Sequence, residues 1–565
     1  MKHTKKLTSL LLALVMLFAM TATALASQSG GYYGVTIPED GILAGHTFTA
    51  YQVFKAREED GVLSDVDWGN GINGPAFLAA LKAADPAVFN SCSTAADVAK
   101  ALDDCADDNA LAQQVARIAE KNKTGNGTAL QQGSTALPGA GYYLIVDTTA
   151  DVGQGGAYNA ALLQVVGNIT VNVKTDAPSV EKKVQADVDV NGGYGPGFRD
   201  VADFNIGQTT IFHLIGKVPD MSRYQTYKYT FHDTFSTGLT PPTINDPENP
   251  GSVRVYLSNS KYADLFDHEA DITSNFNIAV NGQKLTVSCN NLKAISGVTQ
   301  GKYIIVEYGA ALNSNAVIGR PGNPNTVYLE YSNRPDQSGA GDTNNTGRTP
   351  EDKVVVFTYQ LNTSKVDGQN PNTKLPNAQF VLLSSAKLSV AKVIDGKFAG
   401  WVSVPSSELP PAPPQLVITL PLLSIQGGGT TSWDPETILT SDANGLFSIK
   451  GLDAGTYYLR EIKAPRYYNS LTEDIEVKIT ATIYNGQSWD GNPATALTAL
   501  SVTANGAPGT ANVATGTVGI TVGNNRGYEL PETGGIGTTI LYILGSVLVA
   551  GAVILLITKK RMAAK

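Results

Sequence analysis

Cysteine, histidine and positive charge are all scarce in this sequence. Three cysteines in 565 residues are too few for disulfides to staple an exported chain generally. Either Cys92 and Cys105 pair within the first domain, leaving Cys289 alone, or all three are buried thiols. Five histidines are scattered without the spacing of a metal-ligand set, so neither a metal nor another cofactor is expected. The run Asp187-Val188-Asp189-Val190-Asn191-Gly192 opens like a calcium loop. Its twelfth position is Phe198, where such a loop needs a bidentate Glu, so it reads as a polar turn. The formal net charge is −9, with 41 Lys and Arg against 50 Asp and Glu. That balance argues against nucleic acid as a partner, because phosphate neutralisation needs a basic face. No Gly-rich phosphate loop follows a strand and no Ser/His/Asp set declares itself, so an enzyme acting on an external substrate is not expected.

The two ends are better marked. Met1-Lys2-His3-Thr4-Lys5-Lys6 is basic, Leu7 to about Met20 is apolar, and Ala24-Leu25-Ala26 places small residues two apart. This is the layout of a secretory signal peptide, residues 1–26, cut after Ala26. Near the other end, a transmembrane segment is expected over residues 538–558: Ile540 to Ile557 carries no charge and is long enough for a bilayer core. Lys559, Lys560 and Arg561 follow, which places the tail 559–565 on the cytoplasmic side. Just before the span lies Leu530-Pro531-Glu532-Thr533-Gly534. Pro531 fixes its own φ and biases Leu530 towards β, so the pentapeptide is preset as an extended ligand for a groove. The order LPxTG, apolar span, basic tail resembles the sorting signal of Gram-positive surface proteins. That resemblance implies cleavage after Thr533 by a sortase cysteine, and transfer of the Thr533 carbonyl to an amine outside the membrane.

Between the ends, short alternating strands predominate, such as Tyr303-Ile304-Ile305-Val306-Glu307-Tyr308 and Val327-Tyr328-Leu329-Glu330-Tyr331, punctuated by Gly, Pro, Asn and Asp. The fold class expected is mainly β, in tandem immunoglobulin-like β-sandwiches. About Pro75 to Lys121 is rich in Ala and Leu with helical periodicity, which makes the N-terminal domain α+β. Breaks at Lys174-Thr175-Asp176-Ala177-Pro178 and at Gln337 to Thr349 divide the chain into domains 27–174, 178–336 and 350–529. Pro405 to Ser432, with its prolines and Gly427-Gly428-Gly429, reads as an insertion between strands.

Together these residues resemble a sortase-assembled major fimbrial subunit. Ala44-Gly45-His46-Thr47-Phe48-Thr49-Ala50-Tyr51-Gln52-Val53-Phe54 is similar to the opening of that family's N-terminal domain, and Gly141-Tyr142-Tyr143-Leu144-Ile145-Val146-Asp147 to a later strand of it. Ile169-Thr170-Val171-Asn172-Val173-Lys174 stands in the place of the pilin motif, without the Tyr-Pro seen before the lysine in some members. The resemblance implies that Lys174 attacks the sortase-bound Thr533 of another copy. Gly455-Thr456-Tyr457-Tyr458-Leu459-Arg460-Glu461-Ile462 resembles the E-box of collagen-adhesin B-type domains.

Strand parity adds a chemical expectation. Val180, Lys182 and Val184 share a face; so do Phe231, Asp233 and Phe235, and so do Leu329, Tyr331 and Asn333. In the third domain Phe357, Tyr359, Leu361, Thr363 and Lys365 alternate, as do Tyr457, Leu459 and Glu461, and Ile520, Val522 and Asn524; Asn525 has the wrong parity. A Lys, an acid and an Asn on apolar faces ask for a reason, because buried unpaired charge is costly. The resemblance supplies one: autocatalytic amide (isopeptide) bonds Lys182–Asn333 and Lys365–Asn524. Asp233 and Glu461 would be the proton relays. Burial favours a neutral amine and a protonated acid, and folding holds amine and amide in attack geometry. Each bond would join the first and last strands of its domain, closing roughly 150 residues and stabilising by about 5 kcal/mol on the chain-entropy view. The first domain has no lysine on Tyr33-Gly34-Val35-Thr36-Ile37 and ends its Gly-Tyr-Tyr strand in Asp147, so no internal bond is expected there.

The expected function is a pilus shaft subunit, anchored in the cell wall and supporting adhesion. Its implied partners are a pilus-class and a housekeeping sortase, copies of itself, tip and base pilins, peptidoglycan and a host receptor. The alternative is a monomeric adhesin joined to peptidoglycan through Thr533 alone.

Overall fold

The computed structural model describes residues 33–38, 46–104, 109–150, 152–153, 155–158, 160–170, 177–186, 197–244, 251–261, 269–334, 346–405, 432–527 and 536–562. The signal peptide, Cys105, Lys174, the Asp187–Gly192 run, residues 406–431 of the insertion and the pentapeptide Leu530–Gly534 lie outside the described residues.

The N-terminal region is α+β. Alternating apolar residues in Phe48–Glu59 and Gly141–Asp147 pair antiparallel, and Val62–Trp68 and Ala160–Val165 flank them. Helices Gly74–Ala84, Pro86–Phe89, Ala95–Asp104 and Asn109–Asn122 cover one face. Asn73 caps the first, its side chain accepting from the Ala76 amide, and Pro75 occupies the opening turn, where no donor is missed. Phe54, Phe77, Leu81, Phe89, Val98, Val115 and Leu144 close the core between helices and sheet. Cys92 is a buried free thiol there, and Cys289 is another in the second region.

The second region is a sandwich. One sheet runs Val180–Gln185, Thr209–Lys217, Tyr303–Leu312, Arg254–Ser258; the other runs Asp352–Phe357, Asn323–Ser332, Tyr229–Phe235, Lys284–Cys289. Inward residues of both, including Phe212, Leu214, Phe231, Tyr308, Val327 and Leu329, form one core. Asp352–Phe357 belongs here, pairing Asn325 with Val354, although its alternation reads as continuous with the strand after it. Thr358 separates the two strands, its hydroxyl donating to the Leu452 carbonyl. The last strand of the second sandwich therefore lies beyond the Gln337–Thr349 break.

The third region starts at Tyr359. Its first strand, Tyr359–Asp367, and last strand, Thr517–Asn524, run parallel side by side, with Lys365 opposite Val522 and Asp367 opposite Asn524. Pulling on the start of the first and the end of the last would shear this pair rather than peel it.

Between the second and third regions the joint is built from backbone and enclosed charge. Lys183 Nζ donates to Asp200 Oδ1 at 2.6 Å and to the Gln487 carbonyl at 2.9 Å, and Asp200 Oδ2 accepts from the Trp489 amide at 2.8 Å. Lys183 and Asp200 side chains are 3% and 5% exposed. Arg320 Nε donates to the Leu497 carbonyl at 3.0 Å. Gly319 and Gly516 approach so closely, both with positive φ, that a Cβ on either would overlap the other's backbone.

After the third region, Ile536–Met562 is helical, and Thr539–Met562 is long and apolar enough to cross a membrane. Lys559, Lys560 and Arg561 complete its last turn.

Candidate functional site

Two sealed clusters, one in each sandwich, each hold a lysine, a carboxyl and an asparagine. Strand alternation turns Lys365 inward among Tyr359, Leu361 and Thr363, and its side chain is fully enclosed. Its Nζ meets Asn524 Oδ1 and lies 3.8 Å from Glu461 Oε1. Asn524 Nδ2 donates to both Glu461 oxygens, at 2.9 and 2.8 Å, and to the Asn469 carbonyl at 2.9 Å. The Leu471 amide fixes Glu461 from behind, donating to Oε2 at 2.9 Å. Phe380 lies under the ammonium, 5.9 Å from Nζ to the ring centre. Burial, opposed by Glu461, pulls the Lys365 pKa down to about 8. Asn525 is exposed, and its carbonyl accepts from the Asn469 amide.

In the second sandwich Lys182 is also fully enclosed. Its Nζ donates to Asp233 Oδ1 at 2.6 Å and to the Tyr308 hydroxyl at 2.9 Å. Tyr308 donates to Asp233 Oδ2 at 2.5 Å and accepts from Asn325 Nδ2 at 2.9 Å. The rings of Phe212, Phe235 and Tyr308 surround the ammonium at 5.5 to 5.9 Å. Here too burial, opposed by Asp233, lowers the lysine pKa to about 8.

The asparagine in this cluster is Asn325, which corrects the expected Asn333. Asn325 lies on the strand Asn323–Ser332 and Asn333 just past its end, of the same parity but eight positions further on, about 26 Å at the strand rise of about 3.3 Å per residue. Asp233 stands opposite Val327, which puts the Asn325 end of the strand beside Lys182. Asn333 packs instead against Gly347 at the other end, its carbonyl accepting from the Tyr158 amide at 2.8 Å. Tyr308 was missed as well, although its alternation with Ile304 and Val306 turns it inward. It follows that Lys182 sits on the first strand of the sandwich and its asparagine on Asn323–Ser332, with Thr346–Arg348 and Asp352–Phe357 beyond them in the same sheet. The Asp352 side chain accepts from the Lys182 amide at 2.7 Å, a hydrogen bond from that outer strand back to the first.

In the N-terminal region, the position corresponding to the E-box acid is Asp147. Its Oδ2 bonds His46 Nδ1 at 2.8 Å, and it accepts from Thr149 Oγ1 at 2.6 Å.

What such clusters can do is limited by their seal. Each lysine side chain is fully enclosed, and its nearest polar neighbours are a carboxyl and an amide or hydroxyl of the same chain.

Comparison with known proteins agrees with this architecture. Residues 359–489 match the prealbumin-like fold domain, and residues 527–563 match the LPXTG cell wall anchor motif. The chain has the fold of a sortase-anchored backbone pilin, with the wall-anchor signal to match. The solved T6 backbone pilin of serotype M6 Streptococcus pyogenes, a modular three-domain structure, aligns with 89% of this chain and 100% of its own at TM-score 0.51 and 17% identity. The trypsin-resistant surface T6 protein of the same organism is 24% identical over 502 residues, 75% of this chain and 80% of its own. The full-length major pilin SpaD of Corynebacterium diphtheriae aligns with 89% of this chain and 99% of its own at TM-score 0.43 and 15% identity. The anchor match makes this chain a cell-surface, cell-wall-anchored protein.

Proposed function

We propose that this protein is the repeating shaft subunit of a covalent pilus, stiffened by internal amide bonds. A pilus-class sortase joins Thr533 of one copy to Lys174 of the next, and a housekeeping sortase hands the finished polymer to peptidoglycan; tip and base pilins complete the fibre. Within each copy Lys182 condenses with Asn325 and Lys365 with Asn524, with Asp233 and Glu461 relaying protons as ammonia leaves.

The observation that carries this reading is the pair of sealed Lys–carboxyl–Asn clusters lying in series between Lys174 and the LPETG pentapeptide. Burying a lysine and a carboxylate together costs desolvation that their attraction often does not repay; conversion to amides removes the charge and supplies a reason for the placement. The experiment is a denaturing gel of wall extracts. The wild type should give a high-mass covalent ladder and Lys174→Ala should lose it. A ladder unchanged by Lys174→Ala would overturn the acceptor assignment, and a wild type without a ladder would favour the monomeric adhesin.

A further inference from the structure

The two clusters differ in how the acid reaches the amide. Glu461 touches Asn524 Nδ2 with both oxygens. Asp233 is one methylene shorter, and its oxygens bond Lys182 and Tyr308; the group that touches Asn325 Nδ2 is the Tyr308 hydroxyl, 2.9 Å away. That hydroxyl is the hub of the site, within hydrogen-bond reach of the amine, the acid and the leaving nitrogen at once. Tyr308 is 0% exposed, so no solvent molecule need take its place. In the third region Phe380 lies against the lysine, and a ring without a hydroxyl suffices there because Glu461 reaches the amide itself.

We infer that Tyr308 is a catalytic residue for the Lys182–Asn325 bond, carrying to the departing nitrogen the proton that Asp233 is too short to deliver. The inference rests on the proposed amide chemistry. The step balances as follows. Lys182 begins as ammonium and Asp233 as carboxylate, and one proton passes from Nζ to Oδ1. The free pair on Nζ bonds to Cγ of Asn325 while the carbonyl pair moves onto its Oδ1. Tyr308 takes a second proton from Nζ and gives its own to Nδ2. The Cγ–Nδ2 bond breaks, the carbonyl re-forms and ammonia leaves. Asp233 ends protonated and Tyr308 is regenerated. Burial and the neighbouring Asp233 hold the Tyr308 pKa well above its usual value, so the hydroxyl keeps the proton it must hand over.

The test is the full chain made by cell-free synthesis and sampled over time by tryptic mass spectrometry, following the 182–325 and 365–524 cross-linked peptides in the same tube. Tyr308→Phe keeps the ring and should slow the 182–325 link by about 100-fold or more, with the 365–524 link at its wild-type rate. The double variant Asp233→Glu/Tyr308→Phe gives the acid the reach of Glu461 in the space the hydroxyl leaves, and should restore the 182–325 link. A Tyr308→Phe rate within a few-fold of wild type would overturn the relay. So would a double variant that stays as slow as Tyr308→Phe while its 365–524 link forms normally. A wild type that never forms the 182–325 peptide would instead refute the amide reading itself, leaving the role of Tyr308 without a reaction.

Discussion

The second and third regions hold the same three chemical groups but place them differently against the direction of pull. In the third, Asn524 ends the last strand, so a bond to Lys365 would tie the entering strand to the leaving one. In the second, Asn325 lies on a strand with two more strands of its sheet after it, and the chain from Thr326 to Phe357 remains between the link and the joint. That stretch is held by strand pairing, by Asp352 on the Lys182 amide, and by the joint itself. The lesson is that a cross-link protects only what it encloses; the remainder must be held by hydrogen bonds and burial.

The largest expected effect is mechanical. Single-molecule stretching between residues 177 and 527 should release about 30 residues from the second region, roughly 100 Å fully extended, and none from inside the linked third region. A single trace with no extension before rupture would erase the distinction between the regions. Extension of the third region would show that its link is absent.

Removing a link should cost about 5 kcal/mol in the affected region by the chain-entropy argument. Asn524→Ala should lower the third region's calorimetric transition and Asn325→Ala the second's, each retaining one ammonia more than wild type by mass. Asn333→Ala should keep both losses of ammonia, which separates the two candidate asparagines directly.

The joint is expected to contribute somewhat less. Lys183→Ala leaves Asp200 enclosed without its cation, a change that costs about 3–5 kcal/mol for buried pairs. It should uncouple the transitions of the second and third regions in calorimetry. Transitions that stay together would mean that Arg320 and the Gly319–Gly516 contact suffice.

The smallest effect is one of pH. In Asn524→Ala, Lys365 remains an amine whose folded-state pKa lies near 8, against 10.5 in solution. Between those values the unfolded chain binds the extra proton, so stability should rise with pH from about 8 to about 10.5 and be flat below. In the linked protein the nitrogen is an amide and this slope should vanish. Denaturant titrations across that range compare the two.

Much of this was readable before the structure, and the unreadable part has a physical cause. Alternation alone turns Lys182, Asp233, Lys365 and Asn524 inward, because a strand's period of two needs no long-range information. Asn325 and Asn333 share that parity, and parity says which face a residue takes, not which end of the neighbouring strand it meets. Register decides that, here the pairing of Asp233 with Val327, and register comes from packing. The same holds for Asp352–Phe357: its alternation runs on towards Lys365, and only its pairing with Asn323–Val327 assigns it to the second sandwich. Tyr308 looked like one more core aromatic, since its hydroxyl acquires a role only when three distant strands bring their groups to it.

The central claim is that two amide bonds form inside the chain, and intact mass tests it most directly. Residues 27–529, expressed and purified without sortase, should weigh two ammonias less than their sequence, with tryptic peptides joining Lys182 to Asn325 and Lys365 to Asn524. A mass equal to the uncorrected sequence would contradict it.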